Sequence, residues 1–207
     1  MPIETWFAFM IASAIIISIP GPTVMMVISY AINKGKAAAF ASISGVILGD
    51  FTAVTLSLAG VGAILATSSL LFNILKFAGA AYLLYLGIKL WLDNPKNLKQ
   101  ATLKKQENNK RIFTNVYLVT TLNPKCILFF IAFVPQFMTP DLPIMPQMTI
   151  ITLSFVVLGG LNATFWAIGI GKMAEKIMSP TRLKILNRIG GSFMITAGIL
   201  TALGRKA

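Results

Sequence analysis

Hydrophobic positions in this chain neither alternate nor recur on one helical face; they run in long blocks, at about 3–32, 37–62, 70–92, 112–138, 147–170 and 189–203, separated by short polar or Gly/Pro-containing breaks. A helix that crosses a bilayer needs roughly 20 largely apolar residues, so the blocks predict an all-α integral membrane protein with six transmembrane helices. Two blocks carry interruptions of their own. The first is too long for one perpendicular helix and is cut at Pro20-Gly21-Pro22; the fourth is cut at Asn123-Pro124-Lys125 and again near its end at Pro135. Helices 1 and 4 are therefore expected to be broken at mid-membrane, because proline removes a helical hydrogen bond and clashes with the preceding turn.

The interruptions expose a repeat. Residues 1–92 and 112–207 each read as a broken helix, a glycine-containing helix with a polar residue at mid-depth (Asp50, then Asn162), and an unbroken third helix. Three spans per half is an odd number, so the second copy must enter the membrane from the opposite side. This is the inverted-repeat plan in which discontinuous helices place a site near the midplane. Residues 93–111 form the one long polar connection.

Composition sharpens the class. The chain has 207 residues, 56% hydrophobic and 12% charged, with a mean hydropathy of +0.79, far from the range of soluble domains. Its net charge of +12 would suggest nucleic acid in a soluble protein, so the placement of the charges decides. Fourteen of the 18 basic residues fall in the odd-numbered connections: Lys34 and Lys36 in the first, seven between Lys89 and Arg111 in the third, and Lys172, Lys176, Arg182, Lys184 and Arg188 in the fifth. The positive-inside rule then makes those connections cytoplasmic and puts both termini outside. No stacking aromatics are interleaved with the basic residues of 93–111, so a nucleic-acid surface is not expected. The N-terminal flank has Glu4, no Lys or Arg, and no convincing cleavage site, so the first segment is expected to be retained. The single cysteine, Cys126, excludes an internal disulfide, and the lack of histidine makes a Ser/His hydrolase or the usual metal ligation unattractive. No enzyme, cofactor or metal is expected.

Candidate chemistry lies where polarity meets hydrocarbon. A lysine at mid-bilayer depth costs about 2.5 to 3.5 kcal/mol on insertion scales, which marks Lys125 as functional or as buried in a watery cavity. Pro124 suits the first position of a new half-helix and Asn123 its N-cap; Pro22, after Pro20 and Gly21, suits the equivalent start in the first repeat. Both half-helices would aim free N–H groups and positive dipole ends at mid-depth, which favours a carboxylate. Lys125 adds a full charge. Asp50 can hold a substrate ammonium or exchange a proton, or pair with Lys125; Thr23 and Asn162 are possible polar contacts. Gly45 and Gly49 form a GxxxG pair that allows close helix approach and leaves a homodimer possible.

Pro20-Gly21-Pro22, Asn123-Pro124-Lys125, Leu128-Phe129-Phe130 through Pro135-Gln136-Phe137, Gly45 to Asp50, and the stretch from Gly79 to Gly87 together resemble the lysine-exporter (LysE/RhtB-type) family of bacterial amino-acid exporters. The likeness covers nearly the whole chain. It implies a bacterial inner-membrane transporter that exports amino acids or close derivatives from the cytoplasm, coupled to proton influx by alternating access. Its partners would be an amino-acid substrate, protons and the lipid bilayer. Efflux of a cation or drug, and an uncoupled channel or scaffold, are the alternative readings; a single well-placed carboxylate and no histidine argue against a metal cation.

Overall fold

The computed structural model describes residues 1–19, 21–67, 69–93, 107–132, 134–139, 142–168 and 179–203. Pro20 and residues 94–106 of the polar connection lie outside the described residues. Among the described residues the secondary structure is entirely helical, as the block pattern predicts.

The first block forms two helices, α1 (Ile3–Ser18) and α2 (Pro22–Lys34), bent from each other by 60°. Ile19 leaves α1 in an extended conformation, and α2 restarts with Gly21 as an extended N-cap and Pro22 at its first position. The missing proline N–H costs nothing there, since the first helical N–H groups have no internal partner. Helix α2 stops at Gly35, whose φ of +78° suits a residue without a Cβ and whose N–H donates to the Ala31 carbonyl at 3.2 Å. Helices α3 (Lys36–Thr67) and α4 (Ser69–Leu92) complete the first half.

The second half begins with α5 (Asn109–Thr121), capped by Asn108, whose side-chain oxygen accepts from the Arg111 N–H at 2.9 Å. The helix therefore starts within the stretch read as linker. The break at Leu122-Asn123 follows, then α6 (Pro124–Ala132) and a 3₁₀ turn (Val134–Phe137) that contains Pro135. Helices α7 (Ile144–Ile168) and α8 (Pro180–Leu203) end the fold. Helix α8 begins well before the apolar block at 189–203, so Arg182, Lys184 and Arg188 stand on a helix and not in a loop. Its early turns are polar because they pack on the end of α4. Asn187 Nδ2 donates to Asp93 Oδ2 at 3.0 Å, Trp91 Nε1 donates to Ser192 Oγ at 2.8 Å, and the Arg188 guanidinium lies 4.9 Å from the Trp91 ring centre.

By length and composition, Lys36–Gly60 of α3, all of α7 and all of α8 can each cross a bilayer, and the bent pair α1–α2 adds a fourth where the pair counts as one span. The apolar part of α4, Phe77–Leu92, is shorter, and α5 and α6, at 13 and 9 residues, are each too short alone. Large apolar side chains such as Phe40, Phe51, Leu56, Phe77, Leu153, Leu161 and Phe165 point outward, which suits a lipid solvent. This is a multi-pass membrane protein.

Small residues set the packing, since lipid tails leave close van der Waals contact as the main drive for helix association. The pair α4–α8 makes the most extensive contact, and α3 packs chiefly on α5 and α7. A Cβ on Gly87 would stand 2.7 Å from the Gly191 carbonyl oxygen, and one on Gly191 would stand 2.6 Å from that of Gly87. The GxxxG pair of α3 is occupied inside the chain: a Cβ on Gly45 would meet the Phe113 carbonyl at 2.8 Å and one on Gly49 the Thr120 Cβ at 2.7 Å, both on α5. That pair is therefore not a free surface for a second copy. The interior divides into two apolar clusters. One gathers Phe9, Ile16, Leu58, Phe129, Phe130 and Phe155 around the end bearing Met1; the other gathers Val27, Tyr30, Ile43, Val46, Val116 and Trp166 towards the end bearing Lys34 and Lys36.

Candidate functional site: a polar cavity between two helix breaks

The two breaks meet. Where α1 ends, its last carbonyls lack helical partners. The carbonyl of Ile16 would bond the N–H four residues on, but that residue is Pro20, which has none. Lys125, at the start of α6, fills the gap: its Nζ donates to the Ile16 and Ile19 carbonyl oxygens, each at 3.0 Å. A cation at the C-terminal end of a helix also meets the negative end of its dipole. Asn162 on α7 donates to the neighbouring Ile17 carbonyl at 3.5 Å, and its own oxygen accepts from Trp166 Nε1 at 3.2 Å.

The second break closes on itself. The Asn123 side-chain oxygen accepts from the Lys125 N–H at 3.1 Å, and the Asn123 carbonyl accepts from Ile127 N–H at 3.1 Å, as an N-cap followed by proline should. At the first break Gly21 has no side chain to cap α2, and no other described side chain caps its first turn. A Cβ on Gly21 would stand 3.6 Å from Lys125 Nζ, so the ammonium lies beside the positive end of α2.

Between the breaks is a cavity of about 40 Å³. By the rule that one water needs roughly 10–15 Å³, it has room for about three waters. Its polar lining comes from Gly21, Thr23, Asp50, Thr120, Asn123, Lys125 and Asn162; Ile17, Cys126 and Phe155 close one side, and Val24, Val27, Val46, Ala163 and Trp166 the other. Thr120 Oγ1 donates to Thr23 Oγ1 at 3.4 Å across the two broken helices. Asp50 is 5% exposed and makes no hydrogen bond or ion pair with any described residue. Its carboxylate lies so close to α7 that a Cβ on Gly159 would fall on Asp50 Oδ2.

Six of the residues singled out from the sequence thus line one cavity: Gly21, Thr23, Asp50, Asn123, Lys125 and Asn162. Pro22 and Pro124 do not line it; they are exposed and act by starting α2 and α6. Pro20 lies outside the described residues. Asp50 and Lys125 share the cavity without pairing directly. Thr120, Gly159 and Trp166 were not picked out as site residues, although each had a signal. Thr120 is four residues before Pro124, Trp166 is four after Asn162 on the same face, and Gly159 is three before it.

Comparison with known proteins shows the family. The family profile described as LysE type translocator matches residues 14–205. The chain belongs to the LysE-type translocator family. It is accordingly a translocator and not an enzyme. Among its relatives, the homoserine/homoserine lactone efflux protein of Salmonella typhimurium is 34% identical over 207 residues, and that of Salmonella typhi 33%, each covering the whole of both chains. An uncharacterised membrane protein of Vibrio cholerae is 27% identical over 205 residues, covering 99% of this chain and all of the relative. No solved structure matches this LysE-type translocator significantly. Every lining residue of the cavity falls within the family match.

Proposed function

We propose that this protein exports homoserine or a closely related small amino acid from the cytoplasm of a bacterium, across the inner membrane, in exchange for protons and by alternating access. The observation that carries the reading is the buried carboxylate of Asp50, without a hydrogen-bond or ion-pair partner among the described residues, in the same cavity as Lys125 and the start of α2, which no described side chain caps. A zwitterion needs one anionic and one cationic partner in one site. Lys125 and the α2 N–H groups suit its carboxylate, and Asp50 suits its ammonium or, between substrates, a proton.

Six spans in two inverted repeats support the cycle. Taking α1 with α2 and α5 with α6 as broken spans, and α4 as a further crossing, brings α3, α7 and α8 to six. Part of the packing exchanges under a swap of halves: α3 packs on α5 as α7 packs on α1, α3 packs on α6 as α7 packs on α2, and α4 meets α8 through the reciprocal Gly87–Gly191 contact, whereas α4 on α6 and α2 on α3 have no counterpart of comparable extent among the described residues. Basic residues near Lys34 and Arg111 then mark the cytoplasmic end, and the termini lie outside. The two apolar clusters flank the cavity towards the inner and outer ends and would act as its seals.

Everted membrane vesicles test the reading. Respiration acidifies their interior, so a proton-coupled exporter should accumulate radiolabelled homoserine, and a protonophore should abolish the accumulation. Asp50→Asn should lose the gradient-driven component. Accumulation of no amino acid would remove the efflux reading; full activity in Asp50→Asn would remove Asp50 from coupling.

A further inference from the structure

The cavity has a direction. Along α2 from Gly21 to Val27, along α3 from Asp50 to Val46, and along α7 from Gly159 to Trp166, the lining runs towards the end that carries Lys34 and Lys36. At 1.5 Å per residue these steps are about 9, 6 and 10 Å. The charged and polar groups lie at the start of each run, and Val24, Val27, Val46, Ala163 and Trp166 follow. A substrate whose ammonium and carboxylate engage Asp50 and Lys125 can lay its side chain along this apolar run, the longer of the two apolar sides of the cavity.

We infer that Trp166 is the specificity-determining residue of the site, the wall that limits the substrate to an amino acid with a short uncharged side chain. The inference rests on the efflux reading above and deepens it. Trp166 is 6% exposed and is the largest side chain in this part of the lining. Its ring is not free to swing aside, because the indole N–H donates to Asn162 Oδ1 at 3.2 Å and Asn162 is tied in turn to the Ile17 carbonyl at 3.5 Å. Phe165 packs edge-on to the ring with centroids 5.8 Å apart. Asn162 is thus a positioning residue: it fixes the rotamer of the wall and links it to the broken end of α1.

The test measures uptake of radiolabelled homoserine, leucine and phenylalanine by everted vesicles bearing wild type, Trp166→Ala or Trp166→Phe. A methylene in an apolar pocket discriminates by roughly 10- to 200-fold, so Trp166→Ala should raise the leucine-to-homoserine ratio by at least about tenfold. Trp166→Phe, which keeps a flat wall, should stay near the wild-type ratio. An unchanged ratio in Trp166→Ala, with all rates scaled together, would overturn the inference while leaving efflux intact. Transport of none of the three by wild type would overturn both. A second measurement does not depend on the alanine variant folding. The chain has three tryptophans, so a Trp6→Phe/Trp91→Phe protein reports on Trp166 alone. Its emission should shift on addition of homoserine and not of phenylalanine; no shift with homoserine at transported concentrations would count against the wall.

Discussion

Replacing Lys125 by methionine removes the ammonium while keeping a side chain of similar length and flexibility. Two carbonyls, of Ile16 and Ile19, lose a charged donor at 3.0 Å. Hydrogen bonds to charged groups contribute about 1.5–3 kcal/mol each, so the gross loss is roughly 3–6 kcal/mol. Two effects offset it. Burying an ammonium costs several kcal/mol that the variant no longer incurs, and a cavity with room for about three waters allows solvent to reach the freed oxygens. A net destabilisation of about 1–3 kcal/mol remains, concentrated where α6 meets the end of α1. The substrate carboxylate also loses its cation, and each 1.36 kcal/mol of lost interaction in the rate-limiting state is tenfold in rate. Lys125→Met should therefore lower the unfolding midpoint in detergent and cut initial homoserine uptake by everted vesicles at least about tenfold. Lys125→Arg should separate the two roles, because a guanidinium can still bridge two carbonyls but is larger and differently shaped. It is expected to recover stability and little transport. A methionine variant with wild-type uptake and an unchanged midpoint would refute the reasoning at its base.

Two further outcomes follow from the close packing. Gly159→Ala should push Asp50 from its place, because the new Cβ falls on the carboxylate oxygen; uptake should drop at least about tenfold, whereas Gly160→Ala, which meets only the flexible end of Ile47 at 3.1 Å, should keep most activity. Gly87→Ala and Gly191→Ala each press a methyl on a backbone carbonyl of the facing helix and should destabilise by about 1–3 kcal/mol, read as a lower unfolding midpoint. Gly60→Ala, with nothing within 4 Å, is the control and should be neutral or slightly stabilising.

The breaks were legible because proline chemistry is local, and their meeting only through the repeat that they expose. Pro20 and Pro124 each delete one N–H, and the chain must then supply another donor or a cap. Asn123 was readable as that cap for the same reason. The role of Lys125 as donor to the end of α1 was not, since it depends on which helix lies opposite α6, and that is decided by packing far along the chain. The GxxxG pair shows the same limit: Gly45 and Gly49 announce a close neighbour, but only tertiary contact says that the neighbour is α5 and not a second copy. The start of α8 was misplaced for another reason. Arg182, Lys184 and Arg188 lower the hydropathy without lowering the capacity to form a helix, and their helix is held by polar contacts to Trp91 and Asp93 that a hydropathy pattern does not register. Trp166 went unread because a tryptophan in an apolar block ordinarily anchors or packs; its meaning comes from Asn162 one turn earlier.

The two breaks, alike in sequence, are held in different ways, and the difference constrains any opening motion. Asn123 caps α6 from within its own segment, so the α5–α6 break stays satisfied wherever that segment goes. The end of α1 is satisfied from outside, by Lys125 on α6 and Asn162 on α7. A motion that parts α1 from α6 and α7 must break three hydrogen bonds at once and leave three carbonyls in an apolar interior, at about 1–3 kcal/mol for each. The cavity, at about 40 Å³, is too small for an amino acid until some such motion occurs. A substrate carboxylate that draws Lys125 towards itself weakens two of those three bonds, and water that enters with the substrate can satisfy the carbonyls. On the proposed reading, the residue that would bind the substrate is thus also the one that ties α6 to the end of α1, which couples opening of the cavity to its occupancy without any further device.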